Sequence, residues 1–226
     1  MAKVYGVAGE WARVRGTVLG LWPVFLGVFV LGISVALVGF GMLAAGFATI
    51  LATGCFLFWS MRKGLRRIER FFKGARGEEH VSEILKTLPD AYRVYNDFLA
   101  CGTHVDHVVV GPAGIFSIET KFWTGSVTIE DGHILLDGQL PDRSPITQAL
   151  REAANVRNEL AKLGWTGYTV TPVLAFASDT FRQHVADLHG AVIMNSCELR
   201  GCFDTKRVAV PPMELDRLFS LLENRI

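Results

Sequence analysis

Hydrophobic residues dominate one long stretch near the start of the chain. Residues 16–61 contain no Asp, Glu, Lys or Arg over 46 positions. One helix needs about 20 apolar residues to cross a bilayer, so this stretch is long enough for two helices. Gly39-Phe40-Gly41 is the natural turn between them. The pattern predicts a two-helix transmembrane hairpin over residues 16–61. A cleaved signal peptide is a poor alternative, because its apolar core is much shorter. The remaining alternative is a buried hairpin of a soluble protein.

Small residues recur along both predicted helices and indicate which faces pack together. The first helix carries Gly32 and Ala36, and the second carries Ala44, Ala48 and Ala52. Small side chains let two membrane helices approach closely, which matters because lipid supplies no hydrophobic force between them. We therefore expect these positions to form the contact between the two helices.

Basic residues flank the apolar stretch on both sides. Lys3, Arg13 and Arg15 precede it, and seven cations follow it between Arg62 and Arg76. Because Lys and Arg favour the cytoplasmic side of a membrane, both ends of the hairpin are expected there. The predicted location is the cytoplasmic (inner) membrane, with two spans, and with both termini and the following domain in the cytoplasm.

The flanks define two basic segments, an N-terminus over residues 1–15 and a juxtamembrane linker over residues 62–76. The linker holds Glu69 as its sole acid, which suits contact with anionic lipid or nucleic acid. Lipid is the preferred partner, because the adjacent span already holds the linker at the membrane surface. The expected lipid contacts are Arg62, Lys63, Arg66, Arg67 and Arg70.

After residue 76 the pattern changes to short apolar strands and segments with helical spacing. Residues 103–123 predict two strands around a Gly-Pro-Ala-Gly turn. Further strands and a closing helix are predicted at residues 168–177, 191–194 and 213–222. Together these elements predict one α/β domain over residues 77–226, and a length of about 150 residues is usual for a single domain.

Three charged side chains stand in the first two predicted strands, Asp106 on one and Glu119 and Lys121 on the other. Side chains alternate across a strand, so Glu119 and Lys121 share a face, which a suitable hairpin register extends to Asp106. Two carboxylates can hold a hard divalent cation, and an ammonium can act on the attacking water or the phosphate. The spacing also fits a solvated Glu–Lys pair. The apolar strands favour a site, because buried carboxylates need a compensating partner.

Two flanking helices supply further polar candidates. Glu78 lies three residues before Val81 and seven before Leu85, so it shares the buried face of the helix predicted to begin here. An ordinary acidic first turn, favoured by the helix dipole, is the alternative. Gln148 lies one turn into a helix entered through Pro145. Its amide could orient a phosphate or water, and a solvent-facing Gln fits the spacing equally well.

The order of these motifs resembles a known family. The run DHVVVGPAGIFSIETKFWTG, preceded by GARGEEHVSEIL and YRVYND, is similar to the nuclease-related domain (NERD) of the PD-(D/E)XK restriction-endonuclease-like superfamily. The matching positions are Gly77-Glu78, Asp106, Glu119-Thr120-Lys121, and Pro145 followed by Gln148. Phe122 and His104 depart from the family pattern, which commonly has Asn and Gln there. The resemblance implies an α/β fold with a restriction-endonuclease-like central mixed sheet flanked by helices.

The resemblance also implies a function, which is metal-dependent hydrolysis of phosphodiester bonds in nucleic acid, with DNA expected before RNA. The implied cofactor is Mg²⁺ or Mn²⁺, with Asp106, Glu119 and the Thr120 carbonyl as ligands. Lys121 is implied to position or activate water. The implied catalytic residues are Lys121, Glu119, Asp106, Glu78 and Gln148. Joined to the hairpin, the domain is expected to be a membrane-anchored nuclease.

Charge supports a second class of function. Residues 77–226 contain 13 Lys and Arg against 20 Asp and Glu, a net charge of −7, although the whole chain carries +1. Proteins that bind nucleic acid usually present a basic surface. The alternative is therefore a membrane-tethered adaptor that keeps the fold, lacks strong catalysis, and binds nucleic acid or a protein partner. A homo-oligomer or a membrane protein partner is a further expectation.

Other chemistries lack their sequence signatures. The chain has no Gly-rich phosphate loop of Walker type, no nucleophile elbow and no internal repeat. Cys55, Cys101, Cys197 and Cys202 form no CxxC pair, so reduced structural thiols are expected.

Overall fold

The computed structural model describes residues 1–181, 185–204 and 210–223. The strands are β1 (Lys3–Tyr5), β2 (Arg93–Ala100), β3 (Thr103–Gly111), β4 (Gly114–Lys121), β5 (Val127–Glu130), β6 (His133–Leu136), β7 (Val170–Phe176), β8 (Val185–Leu188) and β9 (Ala191–Asn195). The α-helices are α1 (Glu10–Gly39), α2 (Leu43–Lys86), α3 (Pro145–Lys162), α4 (Leu199–Cys202) and α5 (Pro212–Glu223). The chain divides into two compact units: the hairpin unit, Trp11–Lys73, and the sheet unit, Met1–Glu10 with Gly74–Ile226.

The hairpin unit consists of two long apolar helices. The predicted turn at Gly39-Phe40-Gly41 is confirmed, because α1 ends at its first residue and α2 begins at Leu43. Within the described residues, two helices, α1 and α2, are long and apolar enough to cross a membrane. The second helix continues to Lys86, so the basic residues 62–76 are helical and do not form a loop.

Buried small residues repeat every seven positions on both helices of the hairpin unit. They are Gly20, Gly27 and Ser34 on α1, and Gly46, Thr53 and Ser60 on α2. A Cβ added to Gly27 would lie 2.2 Å from Leu57 Cδ2, so the glycine permits the close approach. The predicted contact residues were wrong: Gly32, Ala36, Ala44, Ala48 and Ala52 are all exposed. They lie outside the seven-residue repeat of buried positions at which the two helices pack.

The sheet unit is built on a mixed sheet, and the predicted α/β fold class is confirmed. Within the described residues seven strands form it in the order β1-β2-β3-β4-β7-β9-β8, and β5 and β6 form a separate hairpin. Strands β2, β3 and β4 are antiparallel neighbours. Strands β4, β7 and β9 run parallel, with α3 in the crossover between β4 and β7.

Helices cover both faces of this sheet. On one face the last turns of α2 share a buried cluster with β4, through Val81 and Leu85 of the helix and Phe116 and Ile118 of the strand. On the other face α3 and α5 cover the sheet. That cluster includes Val108, Val110, Ile115, Val156, Leu160 and Leu218. The strands between the helices are therefore buried on both sides, as their nearly continuous apolar sequence predicted.

The later elements agree with the sequence pattern, with ends that differ by a few residues. The strands expected at residues 168–177 and 191–194 are β7 and β9, and the closing helix is α5. Sequence patterns locate the ends of elements less well than their centres, because terminal residues make fewer hydrogen bonds.

The boundaries of the sheet unit differ from the expected domain boundaries. Residues 1–15 were expected to be a separate basic N-terminus, but Met1–Glu10 belongs to the same unit as Gly74–Ile226. The physical reason is β1, which pairs in parallel with β2 and sets Tyr5 beside Tyr95. A strand of only three residues is too short to show an alternation in the sequence from which to predict it.

Candidate metal centre

Asp106 and Glu119 face each other across the β3–β4 hairpin. The hairpin pairs His107 with Ile118, and the next position in this register sets Asp106 opposite Glu119. Residues directly opposite on neighbouring antiparallel strands share a face of the sheet. The Thr120 amide donates a hydrogen bond of 2.7 Å to Asp106 Oδ2. The hairpin register therefore brings the two carboxylates to one place at the end of the sheet.

Lys121 lies between β4 and α3. Its Nζ forms an ion pair with Glu119 Oε1 and donates a hydrogen bond of 3.0 Å to Gln148 Oε1. Gln148 Nε2 in turn donates a hydrogen bond of 2.9 Å to Glu152 Oε1. The Ser144 side chain caps the start of α3, which fixes the helical turn that carries Gln148. Lys121 is thus held by groups from two different elements.

Glu78 approaches from α2, near the ends of β4 and β7. Its neighbour Gly77 packs closely there, since an added Cβ would lie 2.8 Å from Phe122 Cβ and 3.5 Å from Ala177 Cβ. Phe122 therefore packs against the helix, which gives this departure from the family pattern a structural role. The sequence predicted that a helix begins at Gly77-Glu78. In the structure no helix begins there, because α2 is continuous from Leu43 to Lys86.

Burial and neighbouring charges raise the pKa values of these acids. Burial raises the pKa of Glu78 to about 7, and the negative charges of Asp97 and Glu119 add to the effect. Burial likewise raises the pKa of Asp106 well above its usual range, with Glu119 as the largest charge contribution. Burial and Glu119 together raise the pKa of Glu152 to about 9. Glu119 is the common neighbour of the whole acidic group.

Lys121 supplies positive charge to this acidic group. Burial lowers the pKa of Lys121, but the negative charges of Glu119 and Asp106 outweigh burial, and the pKa is raised. The ammonium therefore stays protonated at neutral pH. A protonated lysine beside a pair of carboxylates can donate hydrogen bonds to a phosphate or to a water molecule.

Sequence reasoning missed Glu152 and Asp97. Glu152 is 2% exposed, and its Oε2 has no hydrogen-bond partner among the described residues. It lies four residues after Gln148, and helical spacing could have identified it. Asp97 has a φ of 50° in the middle of β2, where the pairing with β3 is interrupted. No sequence pattern signals that backbone conformation at an aspartate.

A buried polar network lies on the sheet face opposite Glu119. His107 Nδ1 is 2.8 Å from Asn96 Oδ1, and Asn96 Nδ2 donates a hydrogen bond of 2.9 Å to Ser82 Oγ on α2. Burial lowers the pKa of His107 to about 3, so the ring is neutral. The network ties β2, β3 and α2 together next to the strand positions that carry Asp97 and Asp106.

The donor set fits a hard divalent cation. Asp106 and Glu119 offer carboxylate oxygens, and Mg²⁺ is commonly held by one or two carboxylates with water completing its octahedron. Among the residues that the structure describes, no group of three or more His, Cys, Asp and Glu side chains is arranged as a metal site. A site with only two carboxylate ligands, Asp106 and Glu119, has fewer side chains than such a group and is therefore compatible with this finding. The Thr120 amide donates to Asp106, and the role of its carbonyl as a ligand stays a prediction.

A comparison with protein families matches part of the chain. Residues 73–177 match the family model described as NERD, the nuclease-related domain. No curated protein and no solved structure matches the chain. The matched range contains the residues that converge at the end of the sheet, which are Glu78, Asp97, Asp106, Glu119, Lys121, Gln148 and Glu152.

Proposed function

Residues 73–177 form a nuclease-related domain, and on that premise we propose that this chain is a membrane-anchored, divalent-metal-dependent nuclease. The observation that carries the proposal is the convergence of Asp106, Glu119 and Lys121 at one point. Two carboxylates beside a protonated lysine supply both the ligands for a cation and a donor for a phosphate oxygen.

The residues present support distinct tasks in phosphodiester hydrolysis. Asp106, Glu119 and the Thr120 carbonyl would hold Mg²⁺ or Mn²⁺, which when bound supplies a Lewis acid toward a phosphate oxygen. Lys121 would hold the attacking water or the phosphate through its ammonium hydrogens, where negative charge develops in the transition state. Gln148 orients Lys121 through the hydrogen bond to Nζ.

Glu78 completes the proposed site from the opposite side of the sheet. With a pKa of about 7, it can exchange a proton at neutral pH. Its charge also adds to the electrostatic environment that favours a bound cation, because Glu119 lies close to it. DNA is the proposed substrate in preference to RNA.

The proposal of a membrane anchor rests on the hairpin unit. Large apolar side chains such as Phe25, Phe29, Leu51 and Phe58 are exposed along its helices. Contiguous exposed apolar surface of this kind is typical of contact with lipid. The most apolar 18-residue stretch of each helix is mostly exposed, with 11% of its residues buried in α1 and 17% in α2. A core helix of a soluble protein would be mostly buried.

The sheet unit also supports the proposed orientation. Both ends of the hairpin unit connect to the same compact unit, because Met1–Glu10 and Gly74–Ile226 pack together. A compact unit lies on one side of a membrane, so the hairpin must cross it an even number of times. Two crossings agree with basic flanks on both sides, and the positive charges favour the cytoplasmic face of the inner membrane.

Anionic lipid is the proposed partner of the basic part of α2. Its side chains are exposed along one continuous helix and carry five positive charges within nine residues. These residues are Arg62, Lys63, Arg66, Arg67 and Arg70. Each basic residue near an anionic surface contributes about 1 kcal/mol, so the set would strengthen the hold of the hairpin on the membrane. A homo-oligomer or a membrane protein partner stays a prediction.

An adaptor without strong catalysis remains the second candidate function, and one observation favours it. The net charge of −7 over residues 77–226 opposes binding of nucleic acid without a cation. An adaptor would bind the same nucleic acid or a protein partner whether or not metal is present. The two functions therefore differ in their dependence on Mg²⁺ or Mn²⁺.

The test is cleavage of labelled DNA and RNA by the full chain in lipid nanodiscs. We expect cleavage of DNA with Mg²⁺ or Mn²⁺, none with a chelator, and none by Asp106→Asn in any metal. A wild-type chain that cleaves neither substrate with either metal would contradict the enzyme. If the same preparation still binds labelled DNA in the presence of chelator, the adaptor is the correct function.

A further inference from the structure

Glu152 on α3 belongs to a chain of side-chain hydrogen bonds that leads to Lys121. Gln148 Nε2 donates a hydrogen bond of 2.9 Å to Glu152 Oε1. Lys121 Nζ donates one of 3.0 Å to Gln148 Oε1, and the same ammonium forms an ion pair with Glu119. Gln148 and Glu152 are four residues apart on α3, so their side chains meet on one face of the helix. Glu152 is therefore linked to Lys121 through one intervening side chain.

The two neighbours of Gln148 determine which way its amide points. A lysine ammonium only donates hydrogen bonds, so Lys121 needs the amide oxygen. A carboxylate accepts hydrogen bonds, and Glu152 Oε1 still accepts when a proton is on Oε2, so Glu152 needs the amide nitrogen. Turning the amide over would set donor against donor at Lys121 and acceptor against acceptor at Glu152. The amide orientation that serves Lys121 is thus the one that Glu152 selects.

Burial and a fixed backbone strengthen this selection. Glu152 is 2% exposed, the Lys121 side chain is 20% exposed, and Gln148 is half-buried. Water therefore competes little for the bond between Gln148 and Glu152, and a buried donor left without an acceptor is unfavourable. The Ser144 cap and the helical backbone of α3 hold both residues in a constant relation. The amide is thus constrained at both of its ends.

A purely structural role does not explain an acid at position 152. Glu152 Oε2 has no hydrogen-bond partner among the described residues, so burial of this oxygen costs stability. An apolar side chain of similar volume, such as leucine, would avoid that cost. The other buried acid of α3, Glu159, accepts a hydrogen bond of 3.0 Å from the Cys101 amide and pairs with Lys162 at 2.8 Å. Glu159 ties parts of the fold together, whereas the hydrogen bond from Gln148 is the contact that accounts for Glu152.

We propose that Glu152 is a positioning residue of the nuclease site: it fixes the Gln148 amide with its oxygen toward Lys121, and thereby holds the ammonium where it acts on the phosphate. Displacement of a catalytic group by about 1 Å can lower a rate about a hundredfold, so this hold bears on catalysis. The kinetic part of the inference rests on the proposed function, whereas the orientation of the amide does not.

The orientation of the amide is tested without any activity. NMR of the full chain in detergent, with isotope-labelled glutamine, follows the Gln148 side-chain amide, whose signal is assigned by its loss in Gln148→Leu. We expect its hydrogens to exchange with solvent about tenfold faster in Glu152→Leu than in wild type, because the acceptor is gone. The matched control Glu159→Leu removes a buried acid from the same face of α3 and should leave this exchange unchanged. Equal exchange in wild type and Glu152→Leu would overturn the proposal.

The positioning role is tested by the kinetics of full-chain variants. Glu152→Leu should lower kcat about tenfold with little change in KM, because Lys121 acts on the transition state. Glu152→Gln keeps an acceptor for the Gln148 amide and should recover most of the rate. Glu159→Leu should match wild type when it is assayed below its melting temperature. In a Gln148→Leu background Glu152→Leu should have no further effect, since Glu152 acts through Gln148.

The outcomes separate this inference from the proposed function. A loss of rate in Glu152→Gln as large as in Glu152→Leu, or an effect of Glu152→Leu that adds to that of Gln148→Leu, would refute positioning through the amide. An inactive wild type contradicts the nuclease assignment, and the exchange experiment then decides the orientation of the amide. If Glu152→Leu does not fold, Glu152→Asp takes its place in both experiments, because it withdraws the carboxylate by one methylene. Wild-type rate and exchange in that variant would equally refute the proposal.

Discussion

Replacing Glu78 by Gln should change how the stability of the metal-free domain depends on pH. Glu78 is buried beside Asp97 and Glu119, and its pKa rises from 4.5 to about 7. A carboxyl group with a raised pKa favours the folded state while it is protonated. Its contribution is present below the unfolded pKa and is lost as pH rises through the folded pKa. Gln has the same shape and does not ionise, so the variant should lack this loss.

The magnitude follows from the two pKa values. Moving the pKa from 4.5 to about 7 corresponds to roughly 3 kcal/mol, at about 1.4 kcal/mol per pKa unit. Most of this, about 2 to 3 kcal/mol, should be lost between pH 5 and pH 8. For a domain of this size, 1 kcal/mol shifts the melting temperature by about 2–4 °C, which gives a difference of roughly 5–10 °C. Glu152 titrates in both proteins, so its effect largely cancels.

The assay is thermal unfolding of the full chain in detergent with a chelator, from pH 5 to pH 8. Glu78→Gln should lose less melting temperature over this range than wild type. Glu83→Gln removes the same charge from a side chain that is 73% exposed and ion-paired with Lys86 at 3.5 Å. It should behave like wild type, because exposed pairs contribute little. Parallel curves for wild type and Glu78→Gln would refute the argument from burial.

Three further changes test the site and the anchor. Asp106→Asn should lose most of the thermal stabilisation that Mg²⁺ or Mn²⁺ gives to wild type, and an equal metal response in both proteins would exclude Asp106 as a ligand. Lys121→Ala should abolish metal-dependent cleavage, measured below the melting temperature of the variant, while membrane insertion stays unchanged. Its melting temperature should fall, because Glu119 is left buried without its ion-pair partner. The control Lys86→Ala should cleave like wild type, and a Lys121→Ala variant as fast as wild type would defeat its catalytic assignment. Cysteine labelling at Lys3 and a reporter fused to the C-terminus, which lies outside the described residues, should both report the cytoplasmic side; either terminus found outside contradicts the two-span hairpin.

The part of the site carried by the β3–β4 hairpin could be predicted from sequence. Strand alternation and a two-residue spacing put Glu119 and Lys121 on one face, and the tight Gly-Pro-Ala-Gly turn limits the register that places Asp106. The start of α3 could also be predicted, but spacing left Gln148 equally compatible with a solvent-facing side chain, and only the family resemblance selected it. The constraints from strand alternation, the turn and the helix cap are local, because each depends only on residues that are close together in the sequence.

The remainder depends on contacts that are distant in the sequence. The pairing of β1 with β2 joins residues about 90 positions apart, and no alternation in three residues announces it. Asp97 joins the acidic group because its backbone has a φ of 50°, a conformation that the strand pattern does not predict. The small residues that pack in the hairpin follow a seven-residue repeat. Ala44, Ala48 and Ala52 repeat every four residues and lie on a different, exposed face of the helix.

The charge balance of the site bears on whether the domain is an enzyme or an adaptor. Lys121 is the ammonium bonded within the acidic group, and it pairs with Glu119. Asp106 and Glu152 are left with raised pKa values, which measure the electrostatic work of keeping them charged. Apolar side chains of similar volume would fold at no greater cost, so a protein that only binds a partner gains nothing from these acids. A bound divalent cation would remove the repulsion among them and make the site attractive to phosphate. Metal binding and nucleic-acid binding would then be coupled in this domain, whereas the adaptor requires binding without the metal.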